Sequence, residues 1–289
     1  MLKKLFKESR TEKRGSVKIF TPPQKFWYAT DEQAKFMAKA EEKHIRMSQS
    51  PIEFILLKKI VLPNYDNIVD LGCGDASRTK VLITKKTKKY YGIDINKKFL
   101  EMARKNIPNH VKKIFIKKDL QDIKSPLEDK PTLYVMLGCV YGNFDKKFTN
   151  ALFKRIVRKK DGVLLGFQLR ERKTFQSYVN NKDLKEFYLN AFKNLGHSKN
   201  NEIKYMIEWK KIDGRKCIQP IIKVNIANKK LKGMGINMGD LIQCIPSWKP
   251  TKKEIEEDLS KSFNIQDLIS DKKNSYVIVY LKKKRDSII

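Results

Sequence analysis

The sequence predicts an α/β fold: a doubly wound parallel sheet interrupted by an inserted α+β subdomain. Three observations predict it. Residues 68–76 read IVDLGCGDA, an apolar run that ends in an acid and opens into Gly-x-Gly, the pattern of a buried strand that turns sharply. Strand-like and helix-like periodicities then alternate as far as residue 168, which calls for parallel strands joined by helical crossovers. From about residue 171 a long helical pattern follows, then two alternating runs on either side of Asp213-Gly214, a hairpin signal.

The elements follow in order. Residues 1–15 are lysine-rich without a sustained apolar stretch and read as a frayed basic arm. Helical periodicity covers 30–47, with Thr30 or Asp31 as N-cap, and a shorter helix covers 51–60 before Pro63. After the strand that ends at Leu71, a helix is expected over 76–86, a strand over 89–95 with Asp94 at its end, and a helix over 97–105. A strand over 112–116 leads to Lys118-Asp119-Leu120. Then come a strand at 132–137, a helix at 146–158 and a strand at 162–168.

Residues 174–195 read as one long helix ended by Gly196, with strands at 203–210 and 216–227 and a glycine-rich stretch at 231–241. The chain then returns to the first sheet through a helix at 251–261 after Pro250 and two strands, 263–269 and 275–281, forming an antiparallel edge. The expected division is an arm with covering helices (1–60), a core (61–170), an inserted subdomain (171–250) and a C-terminal return (251–289).

Bulk properties bound the function classes. There are 289 residues, 40% hydrophobic, enough for a substantial core, and no apolar run long enough to span a bilayer. Cys73, Cys139, Cys217 and Cys244 lie far apart with no CxxC, and there are three histidines; neither a zinc site nor a disulfide framework is expected, and the location expected is the cytoplasm. Net charge is +31, carried by 52 lysines and 11 arginines. That balance attracts polyanions such as nucleic acid. Lysines spread throughout a chain rich in Asn and Ile equally describe a solubilising surface, because phosphate and base recognition favour arginine forks. Oligomeric state is not readable.

The glycine turn is not the dinucleotide fingerprint, since Thr79 stands where that pattern has its third glycine. Asp70-Leu71-Gly72-Cys73-Gly74 instead resembles motif I of class I S-adenosylmethionine-dependent methyltransferases. The resemblance implies S-adenosylmethionine as cofactor, on a Rossmann-like sheet. Asp70 is placed to neutralise a cationic part of the ligand. Asp94, 20 residues beyond Gly74, is placed to accept both ribose hydroxyls, and Asp119 to read the adenine amino group. The expected cofactor-binding residues are Asp70, Gly72, Cys73, Gly74, Thr79, Asp94, Asp119, Leu120 and Gly138.

A second informative stretch, residues 135–145, places Gly138 and Gly142 around a bend after a buried strand, followed by Asn143. An amide can accept from a substrate amine and aim its lone pair. It can also simply cap the helix at 146–158.

Four segments occur in order: QKFWY (24–28), DLGCGDASRTK (70–80), LGCVYGNF (137–144) and SWK (247–249). Together they resemble the histidine-specific methyltransferase family over roughly residues 20–283. The resemblance implies catalytic or orienting roles for Tyr28, Asn143 and Tyr178: Asn143 at the substrate α-amino group, Tyr178 at its carboxylate. It also implies that Ser247 lies near the family's imidazole subsite.

Two positions depart from the family pattern. Ile245 stands where the family has the glutamate that bonds the imidazole, and residues 44–48 (HIRMS) replace a segment carrying a second carboxylate-binding tyrosine. A buried donor left unpaired costs about 1–3 kcal/mol. The implied activity is therefore N-methylation of an amine on an amino acid, related small molecule or peptide, with histidine itself poorly matched. An RNA or protein acceptor, and a catalytically silent cofactor-binding protein, are the alternatives.

Overall fold

The computed structural model describes residues 1–37, 39, 50–193, 195 and 201–284. Thirteen strands follow in chain order among them: β1 (Arg10–Arg14), β2 (Val17–Thr21), β3 (Asn67–Leu71), β4 (Lys89–Asp94), β5 (Lys112–Lys117), β6 (Thr132–Met136), β7 (Gly162–Gln168), β8 (Ile203–Ile212), β9 (Arg215–Val224), β10 (Leu241–Gln243), β11 (Ser247–Trp248), β12 (Phe263–Ser270) and β13 (Tyr276–Lys283). The chain divides into two compact units: Met1–Glu42 with Phe175–Ser247, and Lys43–Thr174 with Trp248–Ile289. Of the four segments expected, the N-terminal residues group with the inserted one.

The second unit holds a seven-stranded sheet in the order β12-β13-β7-β6-β3-β4-β5. β3 pairs in parallel with β4 and β6, and the parallel ladder extends to β5 and β7. β13 runs antiparallel between β7 and β12, closing the sheet as expected of the last two strands. β3, β6 and β7 are buried at every position, as parallel strands covered on both faces must be.

Helix Lys97–Asn106 packs Phe99, Leu100 and Ala103 inward and is capped by Asn96, whose side chain accepts from the Lys98 N–H. Helix Lys252–Leu259 opens with a Thr251/Glu254 capping box. The chain departs from β3 toward β4 on one side and returns through β6 on the other. The strand order therefore reverses between β3 and β6, and a ligand crevice belongs at the carboxyl ends of those two strands.

The expected helix at 76–86 is absent. Ala76 takes a left-handed φ of 59°, and only a 3₁₀ turn, Thr79–Leu82, follows. β-branched residues (Thr79, Val81, Ile83, Thr84, Thr87) crowd a helical backbone, which explains why the turn does not propagate.

The first unit contains the order β1-β2-β10-β9-β11, with β8 paired to β9. Asp213 (φ 49°) and Gly214 (φ 79°) make the two-residue β8–β9 turn with the positive dihedrals such a hairpin needs. Residues 1–15 are not a frayed arm. Leu2 and Phe6 of helix Leu2–Phe6 are buried, and β1 and β2 form a hairpin that joins the sheet through β10. Apolar residues at 2, 6, 19 and 20 outweigh the basic character of the segment.

The expected long helix at 174–195 is two helices, Arg172–Val179 and Lys182–Lys193. The Asn181 side chain accepts the Leu184 N–H and starts the second one, an N-capping preference that overrides continuation. In the helix expected over 30–47, residues 31–37 are helical, with Thr30 and Gln33 bonded to each other at its start. Residues 38 and 40–47, and Gly196, lie outside the described residues.

Candidate active site

The glycine turn after β3 is pinned to the end of β4. Gly72 and Cys73 both donate their N–H groups to the Ile93 carbonyl, at 2.9 and 3.0 Å. Gly74 donates to Asp94 Oδ2 at 3.0 Å, and Asn96 donates to Asp94 Oδ1 at 2.9 Å. Gly72 (φ 74°) and Gly74 (φ 52°) adopt left-handed conformations. A Cβ on Gly72 would stand 2.9 Å from Val140 Cγ1, so the two loops at the switch point touch there. A Cβ on Gly74 would meet no described atom within 4 Å; this backbone faces open space and a ligand can approach it closely.

Asp119 ends the stretch after β5. Its Oδ1 accepts the Gln121 N–H at 3.0 Å, capping a short turn that buries Leu120. The Lys118 N–H donates to the Asp94 carbonyl at 3.0 Å, so the segments carrying these two acids leave the sheet side by side.

Asp70 lies beneath the turn at 2% exposure. Its Oδ2 accepts the Tyr90 hydroxyl at 2.9 Å, and Thr79 bonds it as well. Burial raises its pKa to about 7, opposed by those two hydrogen bonds and aided by the nearby Asp94 charge. Burial, then the Asp70 charge, likewise pushes the Cys73 thiol up, so Cys73 fills space as a neutral thiol.

On the β6 side, Gly138 (φ 62°) and Cys139 (φ 63°) form a left-handed bend, an uncommon conformation for cysteine. The Gly138 N–H donates to Glu53 Oε1 at 3.0 Å. Asn143 ends the 3₁₀ turn Val140–Asn143. It does not cap the next helix, Lys146–Ile156: Asp145 does, accepting the Phe148 N–H at 2.7 Å.

In the other unit, the Tyr178 hydroxyl donates to Ser247 Oγ at 3.2 Å, joining two of the expected acceptor-binding residues. Ile245 is 5% exposed and packs in an apolar cluster with Cys244, Tyr188 and Trp27. Tyr28 packs against Phe187, ring centroids 5.4 Å apart. Residues 44–48 lie outside the described residues. A cavity of about 360 Å³ lined by Met1, Leu2, Thr30 and Lys230, among others, touches none of the expected site residues.

The fold and the donor set agree with the motif reading, and a family comparison decides it. The model of the histidine-specific, SAM-dependent methyltransferase family matches residues 25–283. The chain belongs to this family. It is a SAM-dependent methyltransferase, and S-adenosylmethionine is its cofactor.

No curated protein sequence matches it. The methyltransferase is similar to the solved structure of a S-adenosylmethionine-dependent methyltransferase from Clostridium acetobutylicum. They share 14% identity at a TM-score of 0.48, over 86% of this chain and 99% of that one. It is also similar to human N-acetylserotonin methyltransferase in complex with SAM, with 15% identity at a TM-score of 0.49, over 90% of this chain and 59% of that one.

The residues of the methyltransferase fit this cofactor on their own chemistry. Asp94 is bonded to the turn, Asp70 lies beneath it, and the segment that carries Asp119 leaves the sheet beside Asp94. That is a poor cradle for a pyrophosphate and a suitable one for a sulfonium-bearing nucleoside. Among the described residues no cluster of His, Cys, Asp or Glu could hold a metal, and no helix is long and apolar enough to cross a membrane. Sequence reasoning missed Glu53. It belongs to no motif, and nothing local signals its partners.

Proposed function

We propose that the protein is an N-methyltransferase acting on an amine of an amino acid, a related small molecule or a peptide. The observation that carries it is Asn143. Its amide stands at the end of the 3₁₀ turn beyond β6, and the next helix is capped by Asp145. An amide oxygen accepts from an amine N–H and orients the nitrogen lone pair.

Asp94 would hold the ribose hydroxyls and Asp119 the adenine amino group. The backbone of Gly72, Gly74 and Gly138 would let the cofactor lie close. Thr79, Cys73 and Leu120 would support that surface, and Asp70 would offset the cationic charge from beneath. S-adenosylmethionine supplies an electrophilic methyl group on its sulfonium. The protein has to deliver a neutral amine in line with it. An α-amine has a pKa near 8, and a desolvated site containing a cation lowers it further. No strong base is then required, and orientation becomes the main contribution.

Tyr178, Ser247 and Tyr28 would recognise the rest of the acceptor. Ile245, buried among apolar side chains, offers no partner for an imidazole N–H, so the acceptor need not carry one. Four free cysteines suit a reducing compartment, in keeping with a cytoplasmic enzyme.

Mass spectrometry of a cell extract incubated with the enzyme and methyl-labelled S-adenosylmethionine tests this. Label on a small-molecule or peptide nitrogen is the expected result; label confined to RNA would overturn it. The +31 charge favours that second reading, and steep salt dependence of acceptor binding would accompany it.

A further inference from the structure

Glu53 lies on helix Ser50–Lys59, is 2% exposed, and its two carboxylate oxygens take three partners from three distant segments. Arg78 Nε, just after the glycine turn, donates to Oε2 at 2.8 Å. The Gly138 N–H, in the bend after β6, donates to Oε1 at 3.0 Å, and the Tyr276 hydroxyl on β13 donates to the same oxygen at 2.6 Å.

Two glycines make room for the knot. A Cβ on Gly166 would lie 2.6 Å from the Tyr276 hydroxyl and 2.8 Å from Glu53 Oε1. A Cβ on Gly138 would lie 3.2 Å from the Arg78 guanidinium carbon. A buried carboxylate is tolerated only when charge-paired and hydrogen-bonded, and both conditions hold here.

Resting on the assignment of the cofactor to the β3 and β6 carboxyl ends, we infer that Glu53 is a positioning residue for S-adenosylmethionine. It fixes the separation between the glycine-turn loop and the Gly138 bend, and makes no contact with the reacting atoms. Core stability alone does not account for its arrangement. Two of the three partners lie in the loops expected to flank the ligand, and the third, Tyr276, is a rigid strand residue that anchors the carboxylate.

The test measures S-adenosylmethionine affinity calorimetrically, alongside the melting temperature of the ligand-free protein. Glu53→Ala is expected to weaken affinity by roughly 10- to 100-fold, the scale of losing a hydrogen bond to a charged group. Tyr276→Phe removes one hydroxyl and keeps the ring, so it serves if Glu53→Ala does not fold; it is expected to weaken affinity several-fold. Glu53→Gln keeps an acceptor for Gly138 and Tyr276 and should recover part of the loss. In turnover the Michaelis constant for the cofactor should rise while kcat changes little.

A lowered melting temperature with unchanged affinity in both Glu53→Ala and Tyr276→Phe would overturn the inference. Asp94→Ala, run in parallel, separates the two levels. If it loses affinity while the Glu53 variants do not, the positioning role fails and the site stands. If neither loses affinity, the site itself is misplaced and the role falls with it.

Discussion

The Asp94 carboxylate accepts the Gly74 N–H at 3.0 Å on one oxygen and the Asn96 N–H at 2.9 Å on the other. One side chain thus shapes the glycine turn after β3 and caps its own strand. The motif glycine and the strand-end acid, 20 residues apart in sequence, act as one structural device.

Asp94→Ala is expected to reduce S-adenosylmethionine affinity by about 10- to 100-fold, since hydrogen bonds to a charged group contribute about 1.5–3 kcal/mol. Asp94→Asn should fall between the wild type and the alanine variant. Calorimetric titration with S-adenosylhomocysteine checks both.

Asp70 carries a proton linkage. Its pKa rises from 3.8 to about 7 in the folded protein, so the native state holds a proton that the unfolded chain has released. The contribution of Asp70 to stability is full below pH 4 and is lost as pH rises toward 7. Asp70→Asn should abolish this component: the difference in melting temperature between variant and wild type is expected to shift in the variant's favour over that range. Binding of the sulfonium cation should draw the proton off near neutrality. Calorimetry in buffers of different ionisation enthalpy should show more proton release for S-adenosylmethionine than for the uncharged-sulfur product.

Gly72→Ala meets two obstacles. A left-handed φ costs an alanine about 1–2 kcal/mol, and its Cβ would stand 2.9 Å from Val140. Cofactor affinity and melting temperature should both fall. Val140→Ala in the same chain should restore part of the loss, because it relieves the clash and leaves the dihedral cost; differential scanning calorimetry reads the recovery.

The parallel sheet was legible because its signals are local: buried apolar runs in β3, β6 and β7, glycines at the turn, and acids at strand ends. The position of Asp94 at the end of β4 followed from the same grammar, as did the Asp213-Gly214 hairpin. What escaped the sequence depends on distant partners. Glu53 finds Arg78, Gly138 and Tyr276 at separations of 25, 85 and 223 residues. The helix expected at 76–86 fails where Ala76 turns left-handed, and the helix at 174–195 breaks where Asn181 caps a new one. The basic arm folds because Leu2, Phe6 and Phe20 share a core with Phe26 and Trp27 and with residues from Leu184 onward.

Tyr178 and Ser247 share a hydrogen bond, so their effects should overlap. Tyr178→Phe and Ser247→Ala are each expected to raise the Michaelis constant for the acceptor, by up to roughly tenfold, with cofactor affinity unchanged. The double variant should lose less than the product of the two, the coupling expected of contacting residues. Steady-state kinetics with the labelled acceptor checks this.

The central claim is that S-adenosylmethionine lies across the β3 and β6 carboxyl ends. A ¹H–¹⁵N correlation titration of the wild-type protein with S-adenosylhomocysteine reads it out residue by residue. The largest shifts are expected at Gly72, Gly74, Asp94, Asp119, Leu120 and Gly138. Shifts that spare these amides and cluster elsewhere would contradict it.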